Sequence, residues 1–237
     1  MNVALIMAGG IGLRMFQNVP KQFLTVFDKP IMIYTLEAFQ NHPDVDSIIV
    51  PCLNGWHEIL EAYAQQYHLD KLRWIVDGGE SGQESIRNGV NALRDVCADN
   101  DIVIIHDAIR PMVPAEVISN SIVTCRKYGS GLASLECAET FFKTNDGGVS
   151  GSASIDRSET VRVQTPQSYR FGKLLWAHDE ALKRGITDAA STSTIMVDLG
   201  ETVFFSKGSE KNFKITTFED IELMKAYYLA KKEGLVE

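Results

Sequence analysis

Short, almost wholly apolar segments alternate along this chain with longer segments of helical periodicity. The first apolar segment covers residues 3–7, and the pattern returns at 47–52, 72–76 and 101–105. An unbroken apolar run is typical of a strand that is covered on both faces in a parallel sheet. Strands that alternate with helices of about 10–15 residues indicate βαβ units with right-handed crossovers. We therefore predict an α/β protein with a mainly parallel sheet and helices on both of its faces.

The remaining elements follow from periodicity and turn residues. Helices are predicted over 31–41, 56–67, 84–96, 117–128, 174–184 and 218–232, and further strands over 131–137 and around 202–206. The chain has 237 residues, of which 45% are hydrophobic, so it can bury one sizeable core. It contains no evident linker or internal repeat, and we expect a single domain over 1–237.

Between residues 140 and 163 the alternation of strands and helices stops. The tetrapeptide Asn145-Asp146-Gly147-Gly148 is a strong hairpin-turn signal, flanked by short segments rich in Thr, Val and Ser. Two interpretations remain open, an ordinary surface hairpin and an antiparallel excursion from the main sheet. We favour the second and predict a projecting β-arm at about 138–163.

Charge and hydropathy exclude several classes of partner. The formal net charge of −8 argues against a general nucleic-acid binder, because affinity for the phosphate backbone comes from clustered Lys and Arg. No apolar stretch approaches the roughly 18–20 residues that a membrane span needs. Residues 1–8 are mostly apolar, but glycines follow at once and no basic region precedes, so we expect a first strand and not a signal peptide.

The cysteine pattern favours a reducing compartment. The four cysteines show no Cys-x-x-Cys spacing and are Cys52, Cys97, Cys125 and Cys137. Scattered cysteines in apolar or helical contexts are typical of reduced core residues. We expect a cytoplasmic protein without a zinc site.

A glycine-rich turn follows the first predicted strand. The segment AGGIGLRM at 8–15 lets the backbone approach a phosphate, and Arg14 adds a positive charge. It is not a dinucleotide fingerprint, since Met15 stands in place of the third glycine. A tight turn alone would explain the glycines but not Arg14, and Lys21 places a second cation near the same strand end. In open α/β sheets ligands bind beyond the carboxyl ends of the strands, where this turn lies.

Together, AGGIGLRM and the segment PKQFL at 20–24 resemble the CTP-dependent cytidylyltransferases that act on polyol phosphates, among them the methylerythritol-phosphate and ribitol-phosphate enzymes. The resemblance continues in order over nearly the whole chain, through DGGESGQES at 77–85, HDAIRP at 106–111, ET at 139–140, IDR at 155–157, QTPQSY at 164–169, TDAAS at 187–191 and NFKITTFED at 212–220. It implies a Rossmann-like fold of the nucleotide-diphospho-sugar transferase type and transfer of CMP from CTP to a polyol phosphate, with release of pyrophosphate.

The resemblance also implies a role for each matching residue. The nucleotide would be bound by Ala8, Gly9, Gly10, Gly12, Gly79, Glu80, Ser85 and Asp107. The residues that stabilise transition-state charge would be Arg14, Lys21 and Lys214, and those that bind the acceptor would be Arg110, Thr140, Arg157 and Thr187. Asp107 would also help to hold Mg²⁺ with CTP. The family implies a homodimer joined through the arm, in which Arg157 completes the neighbour's site. His106 is expected to be structural, because the attacking phosphate oxygen is already ionised at neutral pH.

The chain departs from the family at one nucleotide-binding position. Gly82 stands where these enzymes usually have an Arg between the glycines and the serine. For the acceptor, the opening Ala8-Gly9-Gly10 and the Trp at 56 resemble the ribitol-phosphate branch. We therefore predict ribitol 5-phosphate, with 2-C-methyl-D-erythritol 4-phosphate as the alternative.

Two other functions compete with this prediction. One is a sugar-1-phosphate nucleotidyltransferase that uses UTP or GTP on a related sheet. The other is a non-catalytic module that binds a nucleotide without turnover. Arg14, Lys21, Asp107 and Lys214 occur together, which argues against the second alternative.

Overall fold

The computed structural model describes residues 1–10 and 19–235. Within these ranges the strands are β1 (Asn2–Met7), β2 (Thr25–Val26), β3 (Lys29–Pro30), β4 (Ser47–Cys52), β5 (Leu72–Asp77), β6 (Ile102–Asp107), β7 (Ser130–Glu136), β8 (Phe141–Lys143), β9 (Ala153–Ile155), β10 (Val161–Arg170) and β11 (Phe205–Lys207). The helices are α1 (Ile31–Gln40), α2 (His57–Gln66), α3 (Gly82–Ala92), α4 (Ala115–Tyr128), α5 (Phe171–Lys183), α6 (Thr192–Asp198) and α7 (Phe218–Lys232). Short 3₁₀ helices cover Lys21–Phe23 and Arg157–Glu159.

A seven-stranded sheet lies at the centre, in the spatial order β11-β7-β10-β6-β1-β4-β5. Its strands run parallel except for β10, which is antiparallel to both of its neighbours. β1 pairs with β6 over its whole length and with β4 on its other side. The chain direction therefore brings the ends of β1, β4 and β6 to one edge of the sheet.

Alternate side chains of the central strands fill two separate cores. Ala4 and Ile6 face helices α1, α2 and α4, whereas Val3 and Leu5 face α3, α5 and α6. Burying one such aliphatic side chain contributes about 1.5–3 kcal/mol. The predicted fold, a mainly parallel sheet with helices on both faces, is confirmed.

A small separate sheet forms within residues 140–163, where the alternation of strands and helices stops. β8 and β9 pair antiparallel, and all six of their residues are exposed. The turn that joins them is organised by Asp146, which accepts hydrogen bonds from Thr144, Val149 and Ser150. Gly147 and Gly148 have φ values of 73° and 93°, which glycine adopts without strain. This hairpin lies within the predicted arm of about 138–163, whereas residues 161–163 belong to β10 of the central sheet.

Several elements of the structure are absent from the sequence-based prediction, among them β2, β3, β10 and α6. β10 is a ten-residue strand between β6 and β7, where the prediction has only the end of the hairpin. Its central residues are polar yet buried, so they lack the apolar signature of an inner strand; Ser168, for example, shares a hydrogen bond of 2.7 Å with Ser121. Helix α6 was also missed, because its seven residues are too few to show a period.

Candidate active site

A cleft of about 800 Å³ opens at the carboxyl ends of β1 and β6 and at the amino end of α3. The predicted site residues that line it are Ala8, Gly9, Gly10, Lys21, Glu80, Ser85, Asp107, Arg110 and Lys214. A smaller hollow of about 420 Å³ adjoins it and includes Gly79 in its wall. Gly12 and Arg14 fall outside the described residues. The structure thus gathers residues from five separate segments of the sequence at one place.

Two glycine turns touch each other at the floor of this cleft. A Cβ atom on Gly9 would lie 2.7 Å from Ser85 Oγ, and one on Gly78 would lie 2.9 Å from Gly9 Cα. The turns are tied to β4 by hydrogen bonds from Ala8 N to Pro51 O (3.0 Å) and from Gly78 N to Cys52 O (2.7 Å). Only glycine permits so close an approach, and it leaves backbone exposed where a ligand phosphate can approach.

The start of α3 forms one wall. Ser81 caps the helix by accepting a hydrogen bond from Glu84 N at 3.1 Å. Ser85 Oγ accepts from Gly79 N at 2.9 Å and donates to Ser81 O at the same distance. The hydroxyl of Ser85 thereby holds the turn at 79–81 in place. The amino end of the helix also carries a partial positive charge that favours an anionic ligand.

Lys21 lies in the 3₁₀ helix and has only 8% of its surface exposed. The neighbouring Gln22 donates through Nε2 to Ala8 O (2.7 Å) and to Gly10 O (3.0 Å). On its other side the segment is fixed by Phe23, whose ring stacks on Trp56 at 4.4 Å between centroids. Gln22 therefore joins the lysine segment to the glycine turn, a function that sequence reasoning missed although the residue lies within the PKQFL motif.

Asp107 ends strand β6 and holds two cations on one carboxylate. Lys214 Nζ lies 3.0 Å from Oδ1, and Arg110 Nε lies 2.8 Å from Oδ2. Burial alone would raise the pKa of Asp107, but the charges of Lys214 and Arg110 outweigh it and lower the pKa to about 2. The carboxylate is therefore ionised across the physiological range, and the group Asp107–Arg110–Lys214 carries a net charge of about +1 toward the cleft.

A network of buried polar residues forms hydrogen bonds with Asp107 and Arg110. Arg110 Nη1 donates to Asn212 O at 2.8 Å, and Asn212 Nδ2 donates to Thr165 O at 2.7 Å. Thr165 Oγ1 in turn accepts from Asp107 N at 3.1 Å. Sequence reasoning missed Thr165 and Asn212 as site residues; their only signal was that they belong to the QTPQSY and NFK motifs.

His106 precedes Asp107 and is fully buried. Its ring packs on Phe39 with 4.9 Å between centroids, and Nε2 lies 3.3 Å from Arg110 O. Burial lowers the pKa of His106 to about 3, so the ring is neutral near pH 7. This supports the prediction that His106 is structural and not a catalytic base.

Three predicted acceptor-binding residues lie outside the cleft. Thr140 and Arg157 are exposed on the arm, where Arg157 Nη1 donates to Ala138 O at 3.4 Å. Thr187 is exposed in the loop before α6, although Ala189 and Thr192, further along the same chain segment, line the cleft. Their roles stay predictions.

Few side chains of the described residues are arranged so that they could bind a metal ion. In the described ranges no three His, Cys, Asp or Glu side chains come together in a group that could hold a metal ion. The ligand that the family resemblance implies is Asp107. Mg²⁺ in nucleotide enzymes is commonly held by one or two carboxylates together with substrate phosphates and waters. A single carboxylate beside a glycine turn fits that kind of site.

No helix in the described ranges combines the length and apolarity needed to cross a membrane. Three of the four cysteines are buried, and all four are free thiols. Burial raises the pKa of Cys52 and Cys125 to about 12, which keeps these thiols protonated and unreactive.

Comparison with known proteins finds relatives over nearly the whole chain. The family model described as IspD, 2-C-methyl-D-erythritol 4-phosphate cytidylyltransferase, matches residues 2–230. A ribitol-5-phosphate cytidylyltransferase of Lacticaseibacillus paracasei is 44% identical over 98% of this chain and 100% of its own length. A 2-C-methyl-D-erythritol 4-phosphate cytidylyltransferase of Clostridium acetobutylicum is 36% identical over 99% of this chain and 100% of its own length.

Solved structures show the same fold. The 2-C-methyl-D-erythritol 4-phosphate cytidylyltransferase of Francisella tularensis superposes with a TM-score of 0.77 at 26% identity, covering 94% of this chain and 97% of its own. A 4-diphosphocytidyl-2C-methyl-D-erythritol synthase of Anaerococcus prevotii reaches a TM-score of 0.82 at 24% identity, covering 96% of each chain.

Proposed function

Because the chain belongs to the 2-C-methyl-D-erythritol 4-phosphate cytidylyltransferase family, it is a nucleotidyltransferase, and we propose that its acceptor is ribitol 5-phosphate. In the proposed reaction ribitol 5-phosphate takes CMP from CTP, and pyrophosphate leaves. The observation that carries the transfer is the convergence of a glycine turn, Lys21 and the Asp107–Arg110–Lys214 group in one cleft. The choice of ribitol rests on the higher identity to the relative of that name.

The proposed reaction is an in-line displacement. An oxygen of the acceptor phosphate attacks the α-phosphorus of CTP and forms a new P–O bond. The bond from that phosphorus to the oxygen that bridges it to the β-phosphate breaks, and its electron pair leaves with pyrophosphate. Such a reaction needs positioning and cations aimed at the developing charge and little covalent help from the protein. Lys21 and Lys214 supply this charge in the proposal.

A proton acceptor is not required from the protein, because a phosphate monoester is largely dianionic near pH 7. The neutral state of the buried His106 agrees with this. Asp107 positions Lys214 and Arg110 and, with Mg²⁺, would add one carboxylate oxygen to the ligands that the triphosphate provides. The bound ion would neutralise charge on the phosphate oxygens.

We also propose that two copies of the chain pair through the arm. The arm and the strand that follows it expose large apolar side chains, namely Phe141, Phe142, Val149, Ile155, Val161 and Val163. Val149 is 87% exposed, and Phe141 lies opposite Ile155 in the two-stranded sheet. Exposed apolar side chains gathered on one segment are typical of an interaction site. Pairing there would let Arg157 and Thr140 reach the neighbour's cleft, which they do not line in their own subunit.

The four free, mostly buried thiols support a reducing, cytoplasmic environment for the proposed enzyme. CTP and a polyol phosphate are its proposed partners, as small-molecule substrates.

The acceptor is tested by following pyrophosphate release with CTP, Mg²⁺ and a panel of polyol phosphates. We expect the highest kcat/KM with ribitol 5-phosphate. A higher value with 2-C-methyl-D-erythritol 4-phosphate, the acceptor named for other relatives, would replace the proposed acceptor by that alternative. If UTP or GTP outcompeted CTP, the sugar-nucleotide alternative would be correct. Nucleotide binding without pyrophosphate from any acceptor would instead indicate a sensing module.

A further inference from the structure

Gln83 lies on the first turn of α3, lines the cleft and is only 5% exposed, yet nothing in the proposed reaction uses it. Its Nε2 donates to Ile186 O at 2.6 Å, and its Oε1 accepts from Ala189 N at 2.8 Å. Both bonds reach across the fold to a segment more than a hundred residues away in sequence. A buried side-chain amide with both ends satisfied is a specific structural contact.

The two bonds bracket a short stretch of chain. Ile186 and Ala189 flank Thr187 and Asp188, so one side chain holds both sides of this dipeptide. Beyond it, Ser191 caps α6, and the buried Thr192 hydroxyl lies 3.3 Å from His178 Nε2. We name residues 186–191 the crossing loop. Gln83 fixes its beginning and middle, and the start of α6 fixes its end.

Gln83 also belongs to the turn that forms the nucleotide side of the cleft. Gly82 and Ser85, its neighbours on α3, face the cleft as well. From the crossing loop, Ala189, Ala190 and Ser191 also line the cleft. A single amide therefore joins the wall next to the glycine turns to the wall that the crossing loop provides.

We propose that Gln83 is a positioning residue for the acceptor: it holds the crossing loop, which contains the proposed acceptor-binding residue Thr187, against the cleft. The proposal rests on the proposed cytidylyl transfer and adds a residue to it. Because the side chain is turned to the loop and both polar ends are occupied there, its loss acts on the acceptor and leaves the binding of CTP in place.

The first test uses Gln83→Met, which keeps the length of the side chain and removes both hydrogen bonds. Loss of two bonds of ordinary strength is expected to raise the KM for ribitol 5-phosphate about tenfold, with the KM for CTP nearly unchanged. Gln66→Met, the same change at an exposed position of α2, is the control and is expected to have no effect. An equal rise in both KM values would overturn the proposal.

A second variant separates positioning from a general loss of structure. A protonated glutamic acid at position 83 can donate to Ile186 O and accept from Ala189 N, as the amide does, whereas the carboxylate cannot donate. For Gln83→Glu we compare the KM for the acceptor with that of the wild type at the same pH. We expect the ratio of the two KM values to fall toward one as the pH is lowered. A ratio independent of pH would contradict the proposed hydrogen bonding.

A third measurement needs no substrate. The amide of Ala189 donates directly to Gln83 Oε1, so its hydrogen–deuterium exchange reports the contact. We expect faster exchange at Ala189 in Gln83→Met and unchanged exchange in Gln66→Met. Unchanged exchange in Gln83→Met would overturn the positioning role. If instead the wild-type protein released no pyrophosphate with any acceptor, the proposed function would fail, whatever the exchange result.

Discussion

Asp107 shows how one side chain sets the charge of the cleft. It is 8% exposed and pairs with both Lys214 and Arg110. A buried carboxylate is costly unless it is paired, and each cation here depends on it for its position. The contribution of these ion pairs to stability can be measured by varying the pH, because the pKa of Asp107, about 2, lies below the ordinary aspartate value of 3.8.

For this reason we expect Asp107→Asn to change the pH dependence of stability. A lowered pKa contributes stability above the unfolded value near pH 4, and this contribution is lost as the pH falls toward 2. At pH 7 the free energy of unfolding of the variant should be lower than that of the wild type by about 2 kcal/mol, and this difference should shrink between pH 4 and pH 2. Denaturant unfolding of both proteins across this range measures it. A deficit that stayed constant with pH would show that the ion pairs do not carry the effect.

Lys21→Ala is expected to lower kcat about a hundredfold or more and to weaken CTP binding far less. The reason is that a cation aimed at the α-phosphate interacts more strongly with the transition state than with bound CTP. Steady-state kinetics and CTP titration together measure the difference, with the exposed Lys183→Ala as the control. A large loss of CTP affinity at unchanged kcat would assign Lys21 to ground-state binding.

At the scale of elements, α3 shows how one glycine sets the distance between a helix and the sheet. A Cβ on Gly89 would lie 2.8 Å from Leu5 Cδ1 and 2.9 Å from Pro51 Cγ. In most helices alanine is the better residue by about 1 kcal/mol, but here its methyl group has no room. The close contact also brings the amino end of α3, with Gln83 and Ser85, to the cleft.

We therefore expect Gly89→Ala to destabilise the protein by about 1–3 kcal/mol, against the helix propensity of alanine. Gly82→Ala is the matched control on the same helix, since a Cβ there meets no atom of the described residues within 4 Å. It should leave stability unchanged or slightly higher. Thermal or denaturant unfolding measures both, and a stabilised Gly89→Ala variant would contradict the packing argument.

Elements with an apolar period could be predicted from the sequence, and those held by polar groups could not. The strand at 47–52 has the predicted bounds, because a short and mostly apolar segment is typical of a buried strand. β10 was missed because Gln164, Thr165 and Ser168 are buried through hydrogen bonds to distant segments. Sequence periodicity does not contain that information. In the same way the motifs located Lys21 and Asp107, whereas Gln83 and Asn212 became visible only through their partners in space.

At the scale of the whole molecule, the proposed pairing through the arm would make the site a property of two chains. Arg157 lies on the exposed arm, so a function for it in catalysis requires a neighbouring copy. Arg157→Ala is then expected to raise the KM for the acceptor and to leave the KM for CTP nearly unchanged. Kinetics with each substrate varied in turn measures this, and equal effects on both would remove Arg157 from the acceptor site.

Coexpression of Arg157→Ala and Lys21→Ala chains tests the shared site directly. In a mixed dimer one cleft carries both substitutions and the other carries neither. At equal expression about a quarter of all clefts would be intact, so activity at low acceptor concentration should return to about a quarter of wild type. If each cleft used its own Arg157, activity would remain at the average of the two variants.

The central claim is that one cleft, between the glycine turns and the Asp107–Arg110–Lys214 group, holds the triphosphate of CTP. A crystal structure with Mg²⁺ and a non-reactive CTP analogue tests it most directly. We expect the phosphates against residues 8–10, with the ammonium groups of Lys21 and Lys214 at salt-bridge distance from their oxygens. A triphosphate bound elsewhere, with Lys214 still paired only to Asp107, would contradict the account.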